Sequence, residues 1–173
     1  FDKLETLIVH ETKLSAAQYN ELPDSPKSSM NYLNLSGIDV TGLNLLGFTS
    51  LEYLDLSNTT GSVEDVFNSI PAKAKASIST LNLKDVNVTS LDLSKFAKLK
   101  YLNLDNANIT ILNLKGLNLK NIEPNRRGFS RNNNPLDFST IKGLETLNLN
   151  GAQLTAEQFN SIPDSVKTLD LTG

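Results

Sequence analysis

Cysteine is absent from this chain of 173 residues, which excludes a disulfide framework, a thiolate metal site and a cysteine nucleophile. Tryptophan is absent too, and the one histidine, His10, has no nucleophile in its frame and reads as a surface residue. No H-x-x-x-H, G-x-x-x-x-G-K or G-x-G-x-x-G pattern occurs. TGLNLLG (41–47) has the glycine spacing of a phosphate loop but lacks the Lys-Ser/Thr pair that would hold phosphate. Carboxylates are scattered rather than paired around a shared substrate position. These absences argue against catalysis within the chain, and no cofactor or metal is expected. No apolar run is long enough to cross a bilayer, so membrane insertion is not expected. A net charge of −3 gives no reason to expect a nucleic-acid partner. No signal peptide is visible, and the start at Phe1 rather than Met suggests a fragment of a longer chain.

Two residue types are abundant instead, leucine at 30 positions and asparagine at 21. Together they suggest a repeat. The frame L-x-x-L-x-L begins at Leu4, Met30, Leu51, Ile78, Leu99, Leu144 and Val166, with a degraded copy near Leu119, at spacings of 20 to 27 residues. Its LNL and LDL triplets alternate apolar and polar residues, the period of a short strand with one buried face. One strand per repeat cannot bury that face alone, whereas stacked neighbours build a continuous leucine core.

On segments such as LEYLDLS (51–57), LKYLNLD (99–105) and LETLNLN (144–150), the chain resembles the leucine-rich repeat family over about its whole length. The resemblance implies an α/β fold: a right-handed solenoid with a parallel concave β-sheet, and short helices and extended segments on the convex side. It implies one domain over 1–173 with about seven to eight repeats, irregular over 120–143.

Two kinds of repeat alternate. The short ones carry a second triplet, Leu43-Asn44-Leu45, Leu91-Asp92-Leu93 or Leu112-Asn113-Leu114, followed by Phe48, Phe96 or Leu117. They look like the short-period repeats of bacterial surface proteins. The long ones carry a recurring phrase: LSAAQYNELPDSPKS (14–28), GSVEDVFNSIP (61–71) and LTAEQFNSIPDSVKT (154–168). Ser15 with Gln18 and Thr155 with Gln158 fit the capping box, and Ser62 with Asp65 is a weaker version. Tyr19 with Leu22, Phe67 with Ile70, and Phe159 with Ile162 place apolar groups one helical turn apart. Pro23, Pro71 and Pro163 then stop the helix. With SVKTLDL (165–171), the phrase is similar to the F-x-x-I-P-x-S-V-x-x-L-x-L repeats of effector proteins from intracellular bacterial pathogens. One departure concerns the family's asparagine three positions after the triplet. Here that slot holds Thr12, Ile38, Thr59, Val86, Ala107, Arg127 and Ala152, so packing and backbone hydrogen bonds are expected to replace an asparagine ladder.

In such a solenoid, outward residues of successive strands form columns about 4.8 Å apart per repeat. One column is Ile8, Asn34, Asp55, Asn82, Asn103, Asn148 and Asp170. The next is Thr6, Tyr32, Tyr53, Thr80, Tyr101, Thr146 and Thr168. The third is His10, Ser36, Ser57, Lys84, Asp105, Asn150 and Thr172. Tyr32, Tyr53 and Tyr101 share a column, and tyrosine is enriched where proteins meet. It is equally a residue that suits strands. Candidate partner-binding residues are thus Tyr32, Tyr53, Tyr101, Asn34, Asp55, Asn82, Asn103, Lys84 and Asp105, although stacked amides also hold a sheet together. A second candidate is a basic loop in KNIEPNRRGFSRNNNP (120–135), with Arg126, Arg127, Phe129 and Arg131 poised for an acidic partner or phosphate. A solvated irregular loop explains the same residues.

The reading that follows is a non-catalytic module binding a protein partner through its concave face. The family likeness implies a bacterial virulence product that is secreted, cell-surface or delivered into a host cell, with a monomer favoured and end-to-end pairing possible. Alternatives are a glycan- or matrix-binding adhesin or spacer, and the substrate-recognition part of an enzyme whose catalytic domain lies outside this chain.

Overall fold

The computed structural model describes residues 4–8, 15–119 and 136–172. His10 and the basic-loop residues Arg126, Arg127, Phe129 and Arg131 lie outside the described residues, as do Thr12 and Lys120. The protein is α/β, with two parallel sheets and a few short helices. No helix among the described residues is long and apolar enough to cross a membrane.

The first sheet has five strands: β1 (Thr6–Ile8), β2 (Tyr32–Asn34), β3 (Tyr53–Asp55), β4 (Thr80–Asn82) and, beyond β5 (Asn87–Asp92) in the chain, β6 (Tyr101–Asn103). They pair parallel in one register, so that Leu7, Leu33, Leu54, Leu81 and Leu102 lie side by side. Leu33, Leu35, Leu54, Leu56, Leu81 and Leu83 are essentially inaccessible to solvent. Complete burial of a leucine side chain contributes about 1.5–3 kcal/mol. The triplets therefore supply both the register and most of the driving force of the sheet.

The second sheet contains β5 (Asn87–Asp92), β7 (Asn108–Asn113), β8 (Thr146–Asn148) and β9 (Thr168–Asp170), in that order. Its leucine row is Leu91, Leu112, Leu147 and Leu169. This corrects the expected columns. Asn148 and Asp170 do not continue the row of Asn103; they continue that of Asp92 and Asn113. Thr146 and Thr168 follow Ile111 rather than Tyr101. The reason is that every triplet presents the same L-x-L pattern, so the pattern does not declare which triplet lies alongside. The backbone of β7 does so, through Glu145 N donating to Thr110 O at 2.9 Å and Leu114 N donating to Asn148 O at 2.9 Å.

The triplet Leu43-Asn44-Leu45 forms no strand, although Leu43 and Leu45 are buried. Its neighbours in space are helical phrases, whose side chains satisfy its backbone. Asn44 N donates to Asn20 Oδ1 and Leu45 N to Ser69 Oγ, both at 2.9 Å. Phe48, Phe96 and Leu117, each three residues beyond a second triplet, are all buried.

Each phrase folds as a capped helix: α1 (Ala16–Asn20), α3 (Val63–Ser69) and α5 (Ala156–Asn160). Both capping boxes are present. Ser15 N donates to Gln18 Oε1 at 2.8 Å, and Thr155 N donates to Gln158 Oε1 at 2.8 Å. Ser62 caps Asp65 N at 3.3 Å without reciprocation, since a carboxylate side chain one carbon shorter reaches less far. The prolines do more than stop these helices. Pro23 and Pro71 are the residues just before second helices, α2 (Asp24–Ser29) and α4 (Ala72–Ser77), which follow at once. A proline with φ near −60° leads naturally into a helix, since the first turn offers no intrahelical partner for the N–H that proline lacks. After Pro163 there is only a turn, closed by Val166 N donating to Pro163 O.

Candidate functional site

The nine candidate sheet residues come together on four neighbouring strands, β2, β3, β4 and β6, and the turns that follow them. They divide by exposure. Tyr53, Asp55, Asn82 and Asn103 are buried, whereas Tyr32, Asn34, Lys84, Tyr101 and Asp105 are half-buried. Tyr32 and Tyr53 stack face to face, with ring centroids 3.9 Å apart and planes 9° from parallel. Tyr101 lies two strands further along the same register.

Asp55, 2% exposed, is the polar centre of the face. Its Oδ1 accepts from Ser57 N at 2.9 Å and Ser57 Oγ at 2.7 Å, and its Oδ2 accepts from Asn82 Nδ2 at 3.0 Å and Tyr53 Oη at 3.3 Å. Four donors satisfy a buried carboxylate that would otherwise be costly. Burial foremost, with the Tyr32 phenol and the Asp55 carboxylate adding to it, pushes Tyr53 far above the usual tyrosine range. Tyr53 is therefore a neutral donor. Beyond the network, Lys84 Nζ sits 3.6 Å from Asp85 Oδ2.

The asparagine and aspartate at the centre of each triplet have a local role that the sequence reading missed. Each accepts the N–H two residues on: Asn34 from Ser36 at 2.9 Å, Asn82 from Lys84 at 3.3 Å, and Asn103 from Asp105 at 2.9 Å. The second sheet repeats the motif, with Asp92 accepting from Ser94 at 2.9 Å, Asn148 from Asn150 at 2.9 Å and Asp170 from Thr172 at 3.0 Å. This side-chain turn ends the strand. One residue further the backbone turns left-handed at Gly37, Asn58, Asp85, Asn106, Gly116 and Gly151, but not at Lys95, which follows the Asp92 turn. Glycine, asparagine and aspartate are the residues that tolerate this conformation. The signal was present as an N/D-x-x-G/N/D spacing, and it accounts for much of the asparagine enrichment. Cross-strand amide bonds exist as well, from Asn113 to Asp92 and from Asn108 to Asn87, both at 3.0 Å. The slot after the triplet is filled by packing at Ile38, Thr59, Val86 and Ala107, which are buried, while Ala152 is half-buried; Ala107 N bonds Leu104 O at 3.0 Å.

A second place was not singled out in the sequence. Asn20, Asp24, Lys27, Asn44, Leu46 and Gly47 line a cleft of about 460 Å³ between α1, α2 and the 42–47 segment. Lys27 is buried there, and its Nζ donates to Asn20 O at 2.9 Å. No group of three or more His, Asp or Glu able to hold a metal ion occurs among the described residues. Comparison with models of known protein families finds no match, and neither does comparison with curated protein sequences.

Proposed function

We propose that this chain is a non-catalytic recognition module of leucine-rich-repeat type, coiled as a right-handed solenoid, that binds a protein partner on its first sheet. What supports the reading most is the outward face of β2, β3, β4 and β6. There Tyr32, Asn34, Lys84, Tyr101 and Asp105 remain partly accessible around the buried Tyr53–Asp55–Asn82 network. The network and the Tyr32–Tyr53 stack fix side chains before any partner arrives, so little rotamer freedom is lost on binding. Contact then rests on Tyr32 and Tyr101, with Lys84 and Asp105 giving charge specificity. Tyr53 and Asp55 act beneath the contact surface as its support. In this reading the protein is a bacterial product acting at the cell surface or inside a host cell.

The test is affinity capture with chemical cross-linking, with Tyr32→Ala/Tyr101→Ala compared against Thr146→Ala/Thr168→Ala on the second sheet. Loss of the captured partner with the tyrosine pair alone supports the reading. Unchanged capture by the tyrosine variant, with the fold intact by circular dichroism, overturns it. Capture that is instead abolished by glycosidase treatment of the partner favours a glycan ligand.

A further inference from the structure

Lys27 is a buried lysine that makes no ion pair among the described residues. It is 9% exposed, and among the described residues the one hydrogen bond of its Nζ goes to the carbonyl of Asn20. An ammonium carries three donors, so two remain unused. The ion pairs of the described residues, Lys84–Asp85 and Lys167–Glu145, lie elsewhere. Burying a charge without a partner is unfavourable unless something completes the site.

The site is also built to admit this side chain. A Cβ on Gly47 would lie 2.8 Å from Lys27 Cδ and 3.2 Å from Lys27 Cβ. Gly47 has no left-handed backbone angle to explain it, so its role is to leave room for the lysine stem. The repeats show that this arrangement is not demanded by the fold. A lysine follows the proline of all three phrases at the same interval, as Lys27, Lys75 and Lys167. Lys75 is half-buried, and Lys167 is exposed and paired with Glu145 at 2.8 Å. Where Gly47 precedes Phe48, the matching residue before Phe96 is Lys95, and that before Leu117 is Gly116, whose φ of 73° accounts for it. The one glycine of these three positions that no positive φ explains thus occurs together with the buried lysine.

We propose that the cleft is a binding site for a small aliphatic carboxylate, anchored on the Lys27 ammonium. Asn44 spends its Oδ1 on Leu46 N at 2.8 Å, and its amide N–H groups make no hydrogen bond among the described residues, leaving them for the ligand. Leu46, 67% exposed, supplies an apolar surface beside these donors. Asp24 lines the same cleft and disfavours a multiply charged anion, which selects a monocarboxylate over phosphate. The volume of about 460 Å³ falls within the range of small-molecule sites. The site is separate from the sheet face proposed to bind protein, so neither reading depends on the other.

Sodium isovalerate is the probe, titrated against the full chain by calorimetry and by thermal unfolding, with sodium phosphate at equal ionic strength as control. Saturable binding and a rise in Tm with isovalerate, absent with phosphate, are expected. Lys27→Met keeps the stem and removes the charge, and should lower isovalerate affinity at least tenfold without lowering Tm in the absence of ligand. Asn44→Ala alters an exposed side chain and should weaken binding severalfold. Amide and methyl NMR shifts of Leu46 and Gly47 should move with the titration. No saturable binding, equal responses to isovalerate and phosphate, or Asn44→Ala and Lys27→Met variants binding within twofold of the parent chain would overturn the proposal.

Discussion

Asn82 donates its side-chain amide across the strand boundary to Asp55 Oδ2 at 3.0 Å, and both residues are buried. The contact joins β4 to β3 on the face opposite the leucine core. The sheet is consequently held from both sides, by leucine packing within and by a hydrogen-bonded carboxylate without. This separates Asp55 from its counterpart on the second sheet, Asp170, whose Oδ1 accepts only from Thr172 among the described residues.

Asp55→Ala strands the donors of Ser57, Tyr53 and Asn82 in a buried setting. A loss of about 2–4 kcal/mol is expected, since buried unsatisfied groups cost about 1–3 kcal/mol each and neighbours relax in part. Asp170→Ala should cost under about 1 kcal/mol, in line with surface substitutions. Urea unfolding midpoints of the two variants check the difference, and equal losses would contradict the assigned role of Asp55.

The left-handed turn positions give a second prediction. Asn106 has φ of 55° and Asp85 of 57°. Asn106→Gly should leave stability unchanged within about 0.5 kcal/mol, while Asn106→Val should cost about 1–2 kcal/mol because a branched side chain collides with the carbonyl there. Gly61 is more demanding, with φ of 89° and an added Cβ that would collide with Thr41 Oγ1 and lie 2.7 Å from Asp39 Oδ1. Gly61→Ala should therefore destabilise by more than Asn106→Val, again by urea midpoint.

The strands, the leucine core and the helix caps were legible in the sequence because each has a local cause. LNL and LDL alternate with the period of the pleat, and Ser15–Gln18 and Thr155–Gln158 satisfy helix ends within four residues. Which strand pairs with which was not legible after β6. Leu112 and Leu102 sit in identical triplets, and pairing is decided by backbone groups far apart in sequence. The same limit explains Leu43-Asn44-Leu45, whose strand pattern is overruled by capping from Asn20 and Ser69. The tyrosine column was placed on one sheet, but the burial of Tyr53, Asp55 and Asn82 goes with cross-strand contacts that no single repeat encodes. Nothing local in the sequence singles out Lys27, because its packing involves Gly47, in the following repeat.

Acid should weaken the fold through its side-chain turns. The Thr41 hydroxyl, then its backbone N–H, hold the Asp39 carboxyl below its usual value of 3.8, and Thr172 does the same for Asp170, backbone first. A lowered folded-state pKa means that the unfolded chain binds protons more readily. The contribution is then full above the usual value and disappears as pH falls through the lowered one. Urea midpoints should hold steady from about pH 7 to pH 5 and drop below about pH 4. Asp39→Asn/Asp170→Asn should flatten that drop, and a profile as steep as that of the parent chain would remove these residues from the account.

Gln158 and Gln18 occupy one position of the recurring phrase but carry different loads. Both close a capping box, with the N-cap N–H donating to their Oε1 at 2.8 Å. Gln18 is exposed and does little more. Gln158 is 1% exposed, and its Nε2 donates to the carbonyl of Leu119 at 3.0 Å, tying α5 to the preceding segment of chain. Gln18→Ala should cost about 0.5–1 kcal/mol, the scale of a lost cap. Gln158→Ala should cost about 2–3 kcal/mol, because it also leaves the Leu119 carbonyl unsatisfied and opens a void. Gln158→Glu keeps the cap but sets a carboxylate against that carbonyl, so its stability should improve on acidification towards pH 4, a range over which the parent chain is expected to change little. Unfolding midpoints of the three variants and the parent chain at pH 7 and pH 4 decide the matter, and a Gln158→Glu variant that gains no stability at pH 4 would show that Leu119 O is not its neighbour.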